Sequence, residues 1–213
     1  MPSEYRSFLA GSDASHRKGV MKAEKSQMRR RILQARAEMS PFVLAQSNAE
    51  LANWMYQLPI DLEPGDIVAA YVATRAEPGG TAVLDALVDQ GLRVLLPIVP
   101  EGDPTRLQWG EYHGEMSLSE GRWKLLEPLG YRLDPDTLHQ AKLVIVPAVA
   151  ADRKGVRLGR GAGYYDRTLA AVDAPVVAVV HDAEFLDDGI PHEPTDVPMD
   201  WVLTPGNGFE KIS

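Results

Sequence analysis

Leu143-Val144-Ile145-Val146-Pro147-Ala148-Val149, followed shortly by Asp152-Arg153-Lys154-Gly155-Val156-Arg157-Leu158-Gly159-Arg160-Gly161-Ala162-Gly163-Tyr164-Tyr165-Asp166, decides how the rest of the chain is read. The first run is apolar and β-branched with no polar alternation, the pattern of a strand buried on both faces. The second run holds four glycines, which allow tight turns and a close approach of backbone to ligand. A helix beginning near Gly163 completes a strand, glycine loop, helix order and points its positive end at the loop. Successive N–H groups there can form an anion nest, and Arg157 and Arg160 add forked donors matched to phosphate oxygens. No Gly-Lys-Ser/Thr follows, so this is not a Walker A loop, and the spacing of Gly159, Gly161 and Gly163 is not a dinucleotide fingerprint. The glycines alone are equally compatible with a plain connection. Two arginines, an aromatic pair and a carboxylate within ten residues favour a loop that binds a polyphosphate.

Working outward, residues 67–72, 93–99 and 176–180 are similar apolar runs, and together they predict a mostly parallel sheet. Residues 81–90 read as a helix between the first two runs, with Leu84, Leu87 and Val88 on one face. Thr81 is its expected N-cap and Gly91 its stop, which makes a βαβ unit. Residues 22–39, free of Gly and Pro, predict a helix that stops at Ser40-Pro41, and a second helix is expected over 41–57. Residues 107–112 and the Gly/Trp/Pro-punctuated stretch to 135 read as short strands and loops.

A chain of 213 residues with 45% hydrophobic content supports one domain, expected over 21–213 after a disordered extension at 1–20. The absence of cysteine excludes thiol nucleophiles and thiolate metal sites. No run reaches the roughly 20 apolar residues of a membrane span, and residues 1–20 hold no apolar run. The expectation is therefore a soluble, cytoplasmic protein without a membrane partner. The net charge of −8 argues against a nucleic-acid partner, yet it is unevenly divided: nine Lys/Arg face three Asp/Glu through Arg36. A basic leading segment joins an acidic body.

The run Arg157-Leu158-Gly159-Arg160-Gly161-Ala162-Gly163-Tyr164-Tyr165-Asp166 after a strand ending Val-Pro-Ala-Val-Ala resembles the signature of the 5-formyltetrahydrofolate cyclo-ligases, also called methenyltetrahydrofolate synthetases. Lys25-x-x-x-Arg29 resembles the family's N-terminal motif, Glu77 ahead of Thr81 its substrate loop, and Trp123 to Pro128, with Glu127, its central loop. Pro191-His192-Glu193-Pro194-Thr195-Asp196, followed by Asp200 and a strand over 201–204, resembles its C-terminal acidic motif. The resemblance spans about 22–205.

It implies a three-layer α/β/α domain like that of ribose-5-phosphate isomerase and CoA transferases, and a monomer is expected. It further implies conversion of 5-formyltetrahydrofolate, possibly polyglutamylated, to 5,10-methenyltetrahydrofolate with ATP and Mg²⁺. In that reaction the formyl oxygen attacks the γ-phosphate, ADP leaves, and N10 closes the ring with loss of phosphate. Lys25, Arg29, Arg157, Leu158, Gly159, Arg160, Gly161, Ala162, Gly163, Tyr164 and Tyr165 are the implied ATP-binding residues. Arg157 and Arg160 are the implied catalytic pair, Arg29, Val72 and Glu77 the implied folate contacts, and Asp166 and Asp196 the implied metal ligands.

Each assignment competes with a plainer one. Lys25 and Arg29 share a helix face, as a solvated basic helix also would, and Arg30, Arg31 and Arg36 are read as solvated. Asp166 could serve as a helix-terminal carboxylate and Asp196 as a turn residue, although Mg²⁺ favours one or two carboxylates plus phosphate oxygens. Tyr164, Tyr165 and Trp123 could stack on a ring or simply pack. His181-Asp182 is a tempting acid/base pair for which the implied chemistry has no need. Pro78-Gly79-Gly80 puts three residues between Glu77 and Thr81 where the family pattern has two, which leaves a paralogue with a changed substrate open. A non-catalytic sensor of phosphorylated metabolites is the other alternative. An RNA-binding accessory role rests on the basic segment alone.

Overall fold

A computed structural model describes residues 4–74, 76–193 and 196–212, with side chains from residue 17 onward. Its helices are α1 (Glu4–Ala37), α2 (Pro41–Trp54), α3 (Thr81–Val88) and α4 (Tyr164–Leu169). Its strands are β1 (Ile67–Ala69), β2 (Arg93–Ile98), β3 (Gln108–Glu111), β4 (Leu118–Glu120), β5 (Leu126–Pro128) and β6 (Ala141–Pro147). They continue as β7 (Ala150–Asp152), β8 (Arg157–Leu158), β9 (Val176–Val179), β10 (Phe185–Leu186), β11 (Trp201–Thr204) and β12 (Gly208–Lys211).

The main sheet has the order β12-β11-β9-β6-β1-β2-β3. Its inner strands β11, β9, β6, β1 and β2 are parallel, and β12 and β3 close the edges antiparallel. Successive residues of the inner strands enter different cores. Val68, Leu96, Ile145 and Val177 pack with Leu51 and Met55 near the end of α2 and with Leu84 and Leu87 of α3. Ala69, Leu95, Val144 and Ala178 face the opposite core with Leu138 and Leu169 of α4. A sheet covered on both faces needs apolar residues at every position, which is why the runs carried no polar alternation.

Three boundaries differ from the sequence reading. β1 ends at Ala69, so Tyr71 and Val72 leave the sheet. The N-cap of α3 is Gly80, not Thr81: its φ of +155° is a conformation that a side-chain-bearing residue rarely adopts, and Thr81 is the first helical residue. The buried face of α3 is Val83, Leu84, Ala86 and Leu87, leaving Val88 partly exposed. Finally, α1 begins at Glu4, so the backbone of 4–20, expected to be disordered, is helical. No proline interrupts this stretch, and Gly11 and Gly19 each cost a helix only about 1 kcal/mol. Residues 1–3 lie outside the described residues.

The end of α1 is fastened by a buried ion pair. Arg36, read from the sequence as solvated, is only 3% exposed. Its Nε and Nη2 donate to the two carboxylate oxygens of Glu184 at 2.7 Å each, and Nη2 also donates to the carbonyl of Ala148 at 2.7 Å. Glu184 further accepts the backbone N–H of His181 at 2.9 Å. Removing one member strands a buried charge, whereas removing both leaves an apolar contact. Arg36→Met is therefore expected to lower the unfolding free energy by about 3–5 kcal/mol in urea titrations, and Arg36→Met with Glu184→Leu to recover most of that loss.

Candidate active site

The glycine loop leaves the sheet through a hairpin that the sequence reading did not contain. β7 and β8 pair antiparallel, Ala150 opposite Leu158 and Ala151 opposite Arg157, turning at Gly155. Gly155 has a φ of +80°, and a Cβ there would lie 2.9 Å from the carbonyl of Met199. Leu158 points down and is buried with Ile32 of α1 and Val149. The loop then runs to Gly163, in the left-handed region at φ 77°, which caps α4. This helix has only six residues, so the loop N–H groups and the arginines dominate over its dipole.

A cavity of about 370 Å³ opens at this loop. Arg157, Gly159, Arg160, Gly161, Ala162 and Gly163 line it, as do Tyr164, Tyr165 and Asp166 beyond them. The loop after β1 contributes Val72, Thr74 and Glu77. Pro97, Val99, Leu107, Leu125 and Leu126 make an apolar end, with Trp123 at its edge. The cavity thus has charged and apolar, aromatic stretches of wall, a form suited to a ligand with an anionic part and a ring system.

Each loop arginine is held by an acceptor. Arg157 donates to the carbonyl of Pro147 and to Oδ1 of Asp166, both at 3.0 Å, and its guanidinium lies over the Tyr165 ring at 5.4 Å. Arg160 spans the mouth: its Nε donates to Oε1 of Glu77 at 2.9 Å and its Nη2 to Oγ1 of Thr74 at 3.1 Å. The other Glu77 oxygen accepts the N–H and the hydroxyl of Thr74 at 2.8 and 2.7 Å. Burial pushes the phenols of Tyr71 and Tyr165 well up, so both remain neutral donors.

Lys25, Arg29, Leu158 and Asp196 lie outside the cavity lining. Arg29 nonetheless underlies the loop, its Nε donating to the carbonyl of Gly159 at 2.7 Å. A Cβ on Gly161 would lie 3.3 Å from its Cζ. Burial pulls the Arg29 guanidinium down from its usual value, while the charges of Asp166 and Asp196 act against that. Lys25 donates to Oδ2 of Asp196 at 2.7 Å, and the N–H of Glu193 meets the same oxygen at 2.9 Å. The cationic segment and the glycine loop are therefore in contact. Pro194 and Thr195 of the acidic motif lie outside the described residues.

For a divalent cation, the structure offers carboxylates in place of a protein cage: no group of three or more metal-ligating side chains occurs among the described residues. Asp166 stands half exposed at the cavity wall, a donor of the kind that Mg²⁺ takes together with waters and phosphate oxygens. Asp196 lies outside the lining and is paired with Lys25.

After Glu77 the loop is held by two further hydrogen bonds. Gly79, at φ +115°, donates its N–H to Oδ1 of Asn48 at 3.1 Å, and the Tyr71 hydroxyl donates to the carbonyl of Pro78. Glu77 keeps its place in the wall. Sequence reading missed Tyr71, Thr74 and the role of Glu127, a buried carboxylate that accepts the N–H of Val99 at 2.9 Å. For Glu127 the Glu-Pro pair was a signal; Thr74 carried none. Trp123 and Lys124 adopt left-handed φ values of 57° and 60°, and Trp123 meets Tyr164 edge to face at 6.1 Å.

A profile of the 5-formyltetrahydrofolate cyclo-ligase family matches residues 21–205. The chain belongs to this family. It is 46% identical over 191 residues to the 5-formyltetrahydrofolate cyclo-ligase of Mycolicibacterium smegmatis, covering 87% of this chain and 95% of the relative. The cyclo-ligase of Escherichia coli K12 is 29% identical, with 84% and 99% covered. Among solved structures, the 5,10-methenyltetrahydrofolate synthetase of Aquifex aeolicus superposes with a TM-score of 0.73 at 27% identity, covering 88% of this chain and 92% of that one. Membership makes the chain an ATP-dependent ligase, which overturns the non-catalytic sensor reading. No helix among the described residues is long and apolar enough to cross a membrane.

The Lys25–Asp196 link has a pH signature. Burial alone would raise the Asp196 carboxyl, but the hydrogen bonds from Lys25 and the Glu193 N–H outweigh it and hold the group below its usual range. A depressed folded-state pKa stabilises above the unfolded value, about 3.9, and that contribution is lost as pH falls through the folded value. The stability gap between wild type and Lys25→Met is therefore expected to be full at pH 7 and to shrink below pH ~4. Unfolding titrations at both pH values measure it.

Proposed function

We propose that the chain converts 5-formyltetrahydrofolate to 5,10-methenyltetrahydrofolate in this cavity, with ATP as the phosphoryl donor. The observation that carries the reading is convergence: the glycine-loop arginines and the Glu77 loop meet at one cavity, with the Arg29 guanidinium beneath the loop, in a chain of this family. Arg157 and Arg160 bind the phosphates and stabilise charge as the formyl oxygen takes the γ-phosphoryl group. Loop N–H groups, Lys25 and Arg29 orient the triphosphate. Val72, Glu77 and Arg29 hold the folate, and the apolar end accepts its rings. Loss of phosphate then accompanies attack of N10 on the activated formyl carbon.

Mg²⁺, held by Asp166 and Asp196 with phosphate oxygens, would neutralise the triphosphate charge. Both carboxylates are occupied by cations, Arg157 and Lys25, which a triphosphate would draw to itself. Residues 21–213 act as one domain, a cytoplasmic monomer, on folates that include polyglutamylated forms.

Arg157→Ala and Asp166→Ala are each expected to cut kcat/KM on the order of 10²-fold, followed by methenyl-folate absorbance, with a smaller proportional change in stability. A wild-type rate in either variant removes that residue from the mechanism.

A further inference from the structure

We propose that His181 is a positioning residue for the folate, holding in place the loop that presents Glu77 to the cavity. This deepens the reading of Glu77 as a folate contact and rests on it. His181 follows β9, is 6% exposed, and does not line the cavity. Its Nε2 lies 3.1 Å from the carbonyl of Ala76, the residue directly before Glu77, across 105 positions of sequence. A carbonyl can only accept, so Nε2 carries the hydrogen and donates it. Asp182 is not its partner: the other ring nitrogen, Nδ1, is buried without a hydrogen bond, and Oδ1 of Asp182 accepts the N–H of Gly206 at 2.9 Å.

The loop between β1 and α3 is held after Glu77 by Asn48 and Tyr71, through Gly79 and Pro78, and His181 holds the side that precedes Glu77. The Glu77 carboxylate is bonded within its own loop to Thr74 and across the mouth to Arg160, an exposed side chain. A ligand that engages Arg160 competes for the latter support, whereas the half-buried contact from His181 lies outside the cavity lining. His181 is in turn held through its N–H by Glu184, itself clamped by Arg36. A chain of hydrogen bonds thus leads from α1 to the backbone beside Glu77.

The test is steady-state kinetics on His181→Leu, His181→Asn and His181→Gln, varying 5-formyltetrahydrofolate and Mg-ATP separately, with melting curves in parallel. Loss of one hydrogen bond predicts an about three- to tenfold rise in the folate KM for Leu and Asn, with the ATP KM unchanged. Gln, whose terminal N–H reaches as far as Nε2, is expected to restore the folate KM. Should the Leu variant fail to fold, the Asn–Gln comparison decides. In a Glu77→Ala background, His181→Leu is expected to add no further rise. Equal increases in both KM values, or an unchanged folate KM in a Leu or Asn variant while Glu77→Ala still raises it, overturns the inference alone. An unchanged folate KM in Glu77→Ala overturns the assignment of Glu77, and with it the route from His181.

Discussion

The two-pronged contact between Arg36 and Glu184 is the constraint on which the site depends. Lys25, Arg29, Ile32 and Arg36 fall at i, i+4, i+7 and i+11 of α1, a single stripe of the helix. Ile32 is buried against the β7–β8 hairpin, Arg36 is locked into the strand ends, and the stripe's other members are thereby carried to the glycine loop. Among the described residues of this long helix, Ile32 is buried and Met28 and Leu33 pack beside it, so the ion pair adds a second hold on its rotation. Both carboxylate oxygens and the Ala148 carbonyl offset much of the cost of desolvation, while Nη1 of Arg36 is buried without a partner.

The charged side chains in and beneath the cavity wall already have partners. Lys25 meets Asp196, Arg29 the Gly159 carbonyl, Arg157 Asp166, and Arg160 Glu77. On the proposed reading a triphosphate exchanges partners rather than adding contacts, and its affinity is the difference between two sets of charge-assisted hydrogen bonds. The arrangement also keeps the site ordered before ligand arrives, since each guanidinium is aimed by a specific acceptor. Preorganised donors of this kind are what phosphoryl transfer asks of a protein.

Much of the architecture was legible along the chain. Unbroken apolar runs marked β2, β6 and β9, because a strand covered on both faces has no polar position to show. The arginines and glycines of 157–163 announced a loop for anions by composition alone. What misled was exposure: Arg36 reads like its neighbours Arg30 and Arg31, and only a partner 148 positions away makes it a core residue. The β7–β8 hairpin was hidden for a similar reason, since Ala150–Asp152 and Arg157–Leu158 are too short to carry a period.

By itself, then, the sequence determined the elements and the chemistry available to them: a parallel α/β core, a glycine loop with paired arginines, a cationic helix face and two well-spaced aspartates. These follow from local pattern, which depends on neighbours within a few residues. Tertiary structure alone decided who meets whom. That Arg160 reaches Glu77, Arg29 the Gly159 carbonyl and His181 the backbone at Ala76 depends on strand order and helix rotation. Those contacts span 83, 130 and 105 positions, and no periodicity along a chain encodes a distance between side chains that only folding makes short.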